Sequence, residues 1–460
     1  MTRVASQVHP GGRASLRTRV LRAGGWSLAG FVVSQGVRFG SNLVMTRLLV
    51  PEMWGVTSIA LMIMMGLGLF SDIGLRQSVI QSARGTEKSF LDTVWTTKIG
   101  ISAGMMTCAF IIAAGLTLAN ATGLFPVGST YASPDLPQVV AALGLCALIG
   151  GFESTKSMEA GRNLSLARWT QIGLISQFAS VVTMLSLAMF TRTIWVLVGG
   201  SVASAIATTV LSHAWLPGVR NSFTWDRDNF REILRFGRWV LGSSAITFLA
   251  MSMDKLILGA LISATLLGVY SIAGLLYSAV DQVLMKLISD LSFPALSEVA
   301  RERKHELRNT LYKFHRVVIP GANLVLGMLL VCGPFIVRIL YDKRYEDAGW
   351  MLQIVSLNLL AMPARLHATC LLALGQSRIM FFQAVASLTG TLVGVLGGYH
   401  LFGVGGAIAG IVVGNLLGAT IPVFFSAKES LVDFRRELAM LLVIPLGAGL
   451  GWAAVSLAGR

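Results

Sequence analysis

Residues 24–60 read GGWSLAGFVVSQGVRFGSNLVMTRLLVPEMWGVTSIA, and residues 237–273 read GRWVLGSSAITFLAMSMDKLILGALISATLLGVYSIA. Superposed at an offset of 213, the two stretches need no gap and share ten of 37 positions, among them Trp26/Trp239, Leu43/Leu256, Gly55/Gly268 and Ser58/Ser271. Residue frequencies alone would give about three matches, and would not gather them into one string, GVxSIA. Each copy opens on an apolar run of the length a helical membrane span needs, roughly 20 residues at 1.5 Å rise per residue.

Working outward from this repeat, thirteen such runs are found, at about 24–48, 53–71, 93–118, 136–153, 169–190, 193–215, 239–262, 266–289, 317–340, 349–374, 379–399, 404–427 and 438–457. They are too long, and too uniformly apolar, to be strands of a barrel. The offset of 213 holds six spans. The two copies therefore enter the membrane in the same sense, as parallel repeats related by an axis along the membrane normal do; substrate sites of such proteins lie between the repeats near the bilayer midplane. The expected fold is an all-α polytopic membrane protein of about 13 transmembrane helices. It divides into a basic segment 1–23, a six-helix lobe 24–215, a linker 216–238, a second six-helix lobe 239–427, and a turn plus an extra C-terminal helix at 428–460.

Composition agrees. Of 460 residues, 54% are hydrophobic and 13% charged, about half the charge of a soluble domain. The net charge of +15 does not point to nucleic acid in so apolar a chain, because basic loops on one membrane face account for it. With the N-terminus in the cytoplasm and alternating spans, the cytoplasmic segments hold 26 of the 37 Lys and Arg residues, and the outer segments hold Arg47, Arg192, Lys343 and Arg344. The first run is too long for a cleaved signal peptide and is read as a retained span. The basic loop 291–316 is read as a solvated connector, with a surface helix on anionic lipid as the alternative.

Motifs of soluble catalysis are missing. There is no GxxxxGK[ST] or HExxH, the six histidines are scattered, and Cys108, Cys146, Cys332 and Cys370 have no CxxC spacing. No catalytic residue, metal site or cofactor is indicated, and the chain is not expected to be an enzyme. Charges inside the spans carry the information instead. Each costs at least about 2.5 kcal/mol at the bilayer centre and usually faces an interior cavity. Arg38, Lys255 and Arg365 lie mid-span, Arg365 two residues after Pro363. Lys98 and Lys286 are nearer a cytoplasmic end, within snorkelling reach. Together these five form the expected substrate-binding set, a cationic cavity suited to an anionic headgroup. Asp254 and Asp281 are the candidates for binding a coupling ion, H⁺ or Na⁺. The competing reading is that Asp254, Lys255 and Asp281 pair with neighbours and only fix packing. Glycines at 390, 394 and 398, and at 406, 410, 414 and 418, are read as a close helix–helix contact.

Three stretches carry a family resemblance. Segment 24–81 contains a span ending in RLLVPEMWG, then FSDIGL at 70–75; segment 236–297 contains MDKLILG, LGVYSIA and FPALS; segment 371–427 contains LALGQS and a glycine-rich close. In this order and spacing the chain resembles the Wzx-type polysaccharide flippases of the multidrug/oligosaccharidyl-lipid/polysaccharide (MOP) superfamily, and the colanic-acid-exporter branch most. The resemblance implies transfer of a polyprenyl-diphosphate-linked oligosaccharide from the cytoplasmic to the periplasmic leaflet of the bacterial inner (plasma) membrane by alternating access, for exopolysaccharide or lipopolysaccharide synthesis. It implies membrane lipids as surroundings, and a polysaccharide polymerase and a chain-length regulator as partners. Cavity-lining basic residues matter in that family, a role carried here to Arg38, Lys255 and Arg365 by location. Members often have 12 or 14 spans, so the thirteenth here is either a lone addition or partly interfacial. The alternatives are a peptidoglycan lipid-precursor flippase or cation-coupled drug exporter on the same fold, and a non-transporting scaffold of a polysaccharide synthesis complex.

Overall fold

The computed structural model describes residues 33–458 apart from 72, 83, 127, 163–165 and 377; the basic segment 1–23 and the start of the first span, 24–32, lie outside the described residues. No strand occurs among them. Each expected run falls on helix over its described part: α1 (33–48), α2 (Pro51–Phe70), α3 (Lys88–Ala121), α4 (Asp135–Gly151), α5 (Leu166–Phe190), α6 (Trp195–Ala214), α7 (Arg227–Leu261), α8 (Ala264–Leu287), α9 (Leu307–Leu340), α10 (Ala348–Ala373), α11 (378–401), α12 (404–428) and α13 (Val443–Ala458). Nine helical stretches among the described residues are each long and apolar enough to cross a membrane, with 378–428 counted as one.

Local sequence sets the breaks. Pro51 occupies the first turn of α2, where its missing N–H costs nothing. Asp226 caps α7 by accepting from the N–H groups of Asp228 and Asn229, and Ser263 caps α8 through Leu266. Gly403, at φ +62°, separates α11 from α12 in a conformation that favours glycine. Helix α9 runs through Pro320 and Pro334. In α10 a 3-10 stretch, Leu357–Ala361, divides two α-helical halves, and Pro363 opens the second.

The two repeat copies meet each other across α2 and α8. A Cβ on Gly55 would lie 1.9 Å from the Ala264 carbonyl oxygen, and one on Gly268 would lie 1.8 Å from that of Pro51. Gly55 and Gly268, like Pro51 and Ala264, are repeat equivalents, so the contact is reciprocal, as a two-fold axis between the copies requires. Between them the equivalent serines bond directly, Ser271 Oγ donating to Ser58 Oγ at 3.1 Å. The main apolar core extends from α2 and α4 through α8 and α9 to α10.

Backbone-directed bonds join the halves at the bundle end that the charge bias assigns to the outside. Thr130 Oγ1 and the Tyr131 hydroxyl donate to the carbonyls of Ile262 and Leu256 at 3.2 Å. In return, Arg344 donates to the Thr46 and Arg47 carbonyls at 3.2 Å, and Tyr345 to that of Leu49 at 3.3 Å.

The glycine series interlock: a Cβ on Gly394 would lie 2.5 Å from the Gly410 oxygen, and one on Gly398 2.1 Å from that of Gly406. The thirteenth helix docks on α9. It runs parallel to α9 in close apposition, a Cβ on Gly327 meeting Ile444 O at 2.1 Å and one on Gly447 meeting Leu324 O at 2.2 Å. Asn323 anchors its approach by donating to the Met440 carbonyl at 2.8 Å.

Candidate functional site

Helices α1, α2, α7, α8, α10 and α12 enclose a cavity of about 450 Å³. Arg38, Asp254, Lys255 and Arg365 all line it, so four charged positions from three helices, distributed over both repeat copies, converge on one hollow. Arg38 also borders two adjoining hollows. One, of about 320 Å³, runs toward α5 and α6 past Gln177 and Ser201; the other, of about 170 Å³, lies beside Gln35 and Gln282, whose amides bond at 3.1 Å.

The charges differ in their partners. Arg365 Nη1 donates to Asp281 Oδ1 at 2.6 Å, and the Tyr277 hydroxyl donates to the same oxygen at 2.9 Å. Both members of the pair are largely shielded, with side chains 27% and 21% exposed. Asp254 accepts from the Tyr270 hydroxyl at 3.0 Å. Among the described residues, neither Arg38 nor Lys255 has an ion-pair partner. Asp281 stands behind Arg365 and is not itself in the lining, so its role in this geometry is to neutralise and aim the guanidinium.

Lys98 and Lys286 are not brought to the cavity. Lys98 Nζ, in the N-terminal third of α3, sits 3.0 Å from Glu153 Oε2. Lys286 lies in the last turn of α8, eight residues beyond the lining residue Ser278, or about 12 Å along a helix.

Charge-counting missed the neutral polar lining. Asn42, the repeat equivalent of Lys255, faces the same cavity, as do Asn358 and Asn415. Asn415 Nδ2 donates to Asn358 Oδ1 at 3.0 Å and its Oδ1 accepts from Ser387 at 2.9 Å. An amide in the middle of a span is costly for the same reason as a charge, and this signal is present in the sequence. Trp54 also lines the cavity, with its indole N–H buried and unpartnered among the described residues. The arrangement can hold an anion: arginine fits a phosphate bidentately, lysine adds a point charge, and the amides and indole supply neutral donors.

Comparison with known proteins places the chain in a family. Residues 44–349 match the family model described as polysaccharide biosynthesis protein. The chain is 22% identical to the lipopolysaccharide biosynthesis protein WzxC of Escherichia coli (strain K12), over 96% of this chain and 88% of that protein. It is 19% identical to the succinoglycan biosynthesis transport protein ExoT of Rhizobium meliloti (strain 1021), over 81% and 73%. Among solved structures, an inward-facing multidrug resistance MATE family transporter of the MOP superfamily superposes with a TM-score of 0.62 at 14% identity, covering 88% of this chain and 95% of that one. The lipid II flippase MurJ in an inward closed conformation superposes at 0.60 and 12% identity, covering 95% and 99%. The shared fold is that of MOP transporters.

Proposed function

The chain belongs to the polysaccharide biosynthesis protein family, and from its central cavity we propose that it transports a lipid-linked oligosaccharide across the membrane. Its relatives are polysaccharide biosynthesis and transport proteins, and it is itself a multi-pass helical membrane protein. The cargo is taken to be polyprenyl-diphosphate-linked, moving from the cytoplasmic to the periplasmic leaflet with the N-terminus cytoplasmic.

The observation that carries the reading is the meeting of Arg38, Lys255 and Arg365 in one cavity. A cavity of about 450 Å³ is within the usual range for small-molecule sites, about 300–1,000 Å³. That is room for a diphosphate and the first sugar, while the isoprenoid remains in lipid. Three cations against Asp254 leave the lining positive, and partnerless cations are the ones free to take phosphate. Lobes 24–215 and 239–427 would alternate about the α2/α8 contact, exposing the cavity to each side in turn. Asp254, bonded to Tyr270, is the better placed of the two carboxylates to take a coupling H⁺ or Na⁺, since Asp281 is engaged by Arg365.

The test is polymer export in a deletion strain complemented with Arg38→Glu or Arg365→Glu, with membrane insertion checked by immunoblot. Export is lost from both, and lipid-linked repeat units accumulate on the cytoplasmic side. Normal export from both variants would refute the site.

A further inference from the structure

Away from the central cavity, α9, α10 and the short helix Phe434–Leu441 close around a second polar cluster. His315 of α9 and His367 of α10 are both fully buried, with ring centroids 5.0 Å apart in an edge-to-face arrangement. Glu437 reaches in from the short helix. Its Oε1 lies 2.8 Å from His367 Nε2 and accepts from the Tyr312 hydroxyl at 3.0 Å. One potential ligand atom from each of His315, His367 and Glu437 falls within 4.8 Å of the other two. Among the described residues, both nitrogens of His315 and Nδ1 of His367 lack a hydrogen-bond partner.

Those orphaned nitrogens need an explanation, since a buried polar group without a partner costs about 1–3 kcal/mol. A shared proton would satisfy His367 and Glu437 and leave His315 as it is. A divalent cation among the three would engage one nitrogen of each ring together with the carboxylate, and so would give His315 the partner that a shared proton does not. In a tetrahedral zinc site, with bonds of about 2.0–2.2 Å, ligand atoms stand roughly 3.3–3.5 Å apart. Here one pair stands at 2.8 Å and no pair exceeds 4.8 Å, so the three atoms are within about 1.5 Å of that spacing. Two imidazoles and a carboxylate form an N/O donor set suited to zinc and its first-row neighbours, with a fourth position left for water.

We propose that His315, His367 and Glu437 bind one divalent transition-metal ion of the zinc class, tying the C-terminal helices to α9 and α10. Folding is what assembles the site, because its ligands come from three helices far apart in sequence. The short helix is its lid: Glu437 retains partial exposure, its side chain 14% accessible, while the histidine it meets is sealed. Lifting that helix is the entry path. The site also lies on the helix that serves the central cavity. His367 follows Arg365 by two residues, about 200° around α10, so metal on one face fixes the helix that carries the guanidinium on another.

The experiment uses the full chain in detergent, stripped with a chelator and then titrated with Zn²⁺ in competition with a chromophoric chelator. Wild type takes up one equivalent and its Tm rises on addition of the metal. His315→Leu keeps an apolar volume in a place where the histidine makes no hydrogen bond, and Glu437→Gln keeps an acceptor for Tyr312. Each variant weakens binding by at least about 100-fold, the upper end of the loss seen for second-shell partners alone, and neither gains Tm with metal. No stoichiometric uptake by wild type would overturn the proposal. So would equal uptake by Glu437→Gln, the variant that remains informative if His315→Leu proves unstable.

Discussion

Asp281 and Arg365 divide the labour of charge in the cavity. Arg365 is offset by a carboxylate at 2.6 Å, whereas Arg38 and Lys255 are not paired within the described residues. Removing one member of a buried pair strands the other, at about 3–5 kcal/mol, while removing both costs far less. Asp281→Ala is therefore expected to lower Tm in detergent substantially, and Asp281→Ala with Arg365→Ala to recover most of the loss. If Arg365 also grips cargo, the double variant regains stability without regaining export. Lys255→Met shows the complementary pattern. Its Tm is unchanged or higher, but cargo binding weakens roughly 10- to 100-fold, the worth of one charge-assisted bond of about 1.5–3 kcal/mol, measured with radiolabelled lipid-linked substrate. The positions of these charges were legible in the sequence because cost makes them rare inside spans. Their partners were not, because a one-dimensional reading gives no azimuth between helices. For that reason Lys98, expected in the cationic set, proves to belong to Glu153, and the histidines, dispersed along the chain, contain a pair in ring contact.

At the scale of elements, glycine sets how closely helices approach, and the repeat decides where. The reciprocal contact of Gly55 with Ala264 and of Gly268 with Pro51 puts backbone against backbone on the axis between the copies. A side chain at either glycine must push α2 and α8 apart, and overpacking of this kind costs about 1–3 kcal/mol. Gly268→Val is expected to lower Tm, while Gly274→Ala on the same helix, with nothing within 4 Å of its Cβ, leaves it unchanged or raises it; equal Tm values for the two would show the contact to be loose. The spacing of glycines in α11 and α12 revealed their pairing beforehand, because a period of four marks one helix face. The docking of α13 was not legible, since its glycines at 447 and 451 face Leu324 and Cys332 and no period links two helices so far apart in sequence.

For the whole molecule, alternating access requires that the bonds joining the halves at one end can be exchanged for others. At the end assigned to the outside, Arg344 of the second half reaches across to the first, to the carbonyls that finish α1. Asp342 holds the guanidinium in place, and the Arg344 hydrogen bond keeps that carboxyl below the ordinary carboxylate range. A depressed carboxylate supports the fold above its unfolded pKa and loses that support as pH falls through the folded value. The contact therefore persists across neutral pH and lets go only in acid. Its two bonds to carbonyls are charge-assisted but partly exposed, so their loss moves the balance between closed and open outer ends by several-fold. In a cysteine-free background carrying Asn42→Cys inside the cavity, Arg344→Ala is expected to raise labelling by a membrane-impermeant thiol reagent added outside by several-fold. Lys343→Ala, one residue away, leaves labelling unchanged. Equal labelling of the two would mean that the outer end is held closed by packing around Tyr131 and Tyr345 and that the guanidinium has no part in gating.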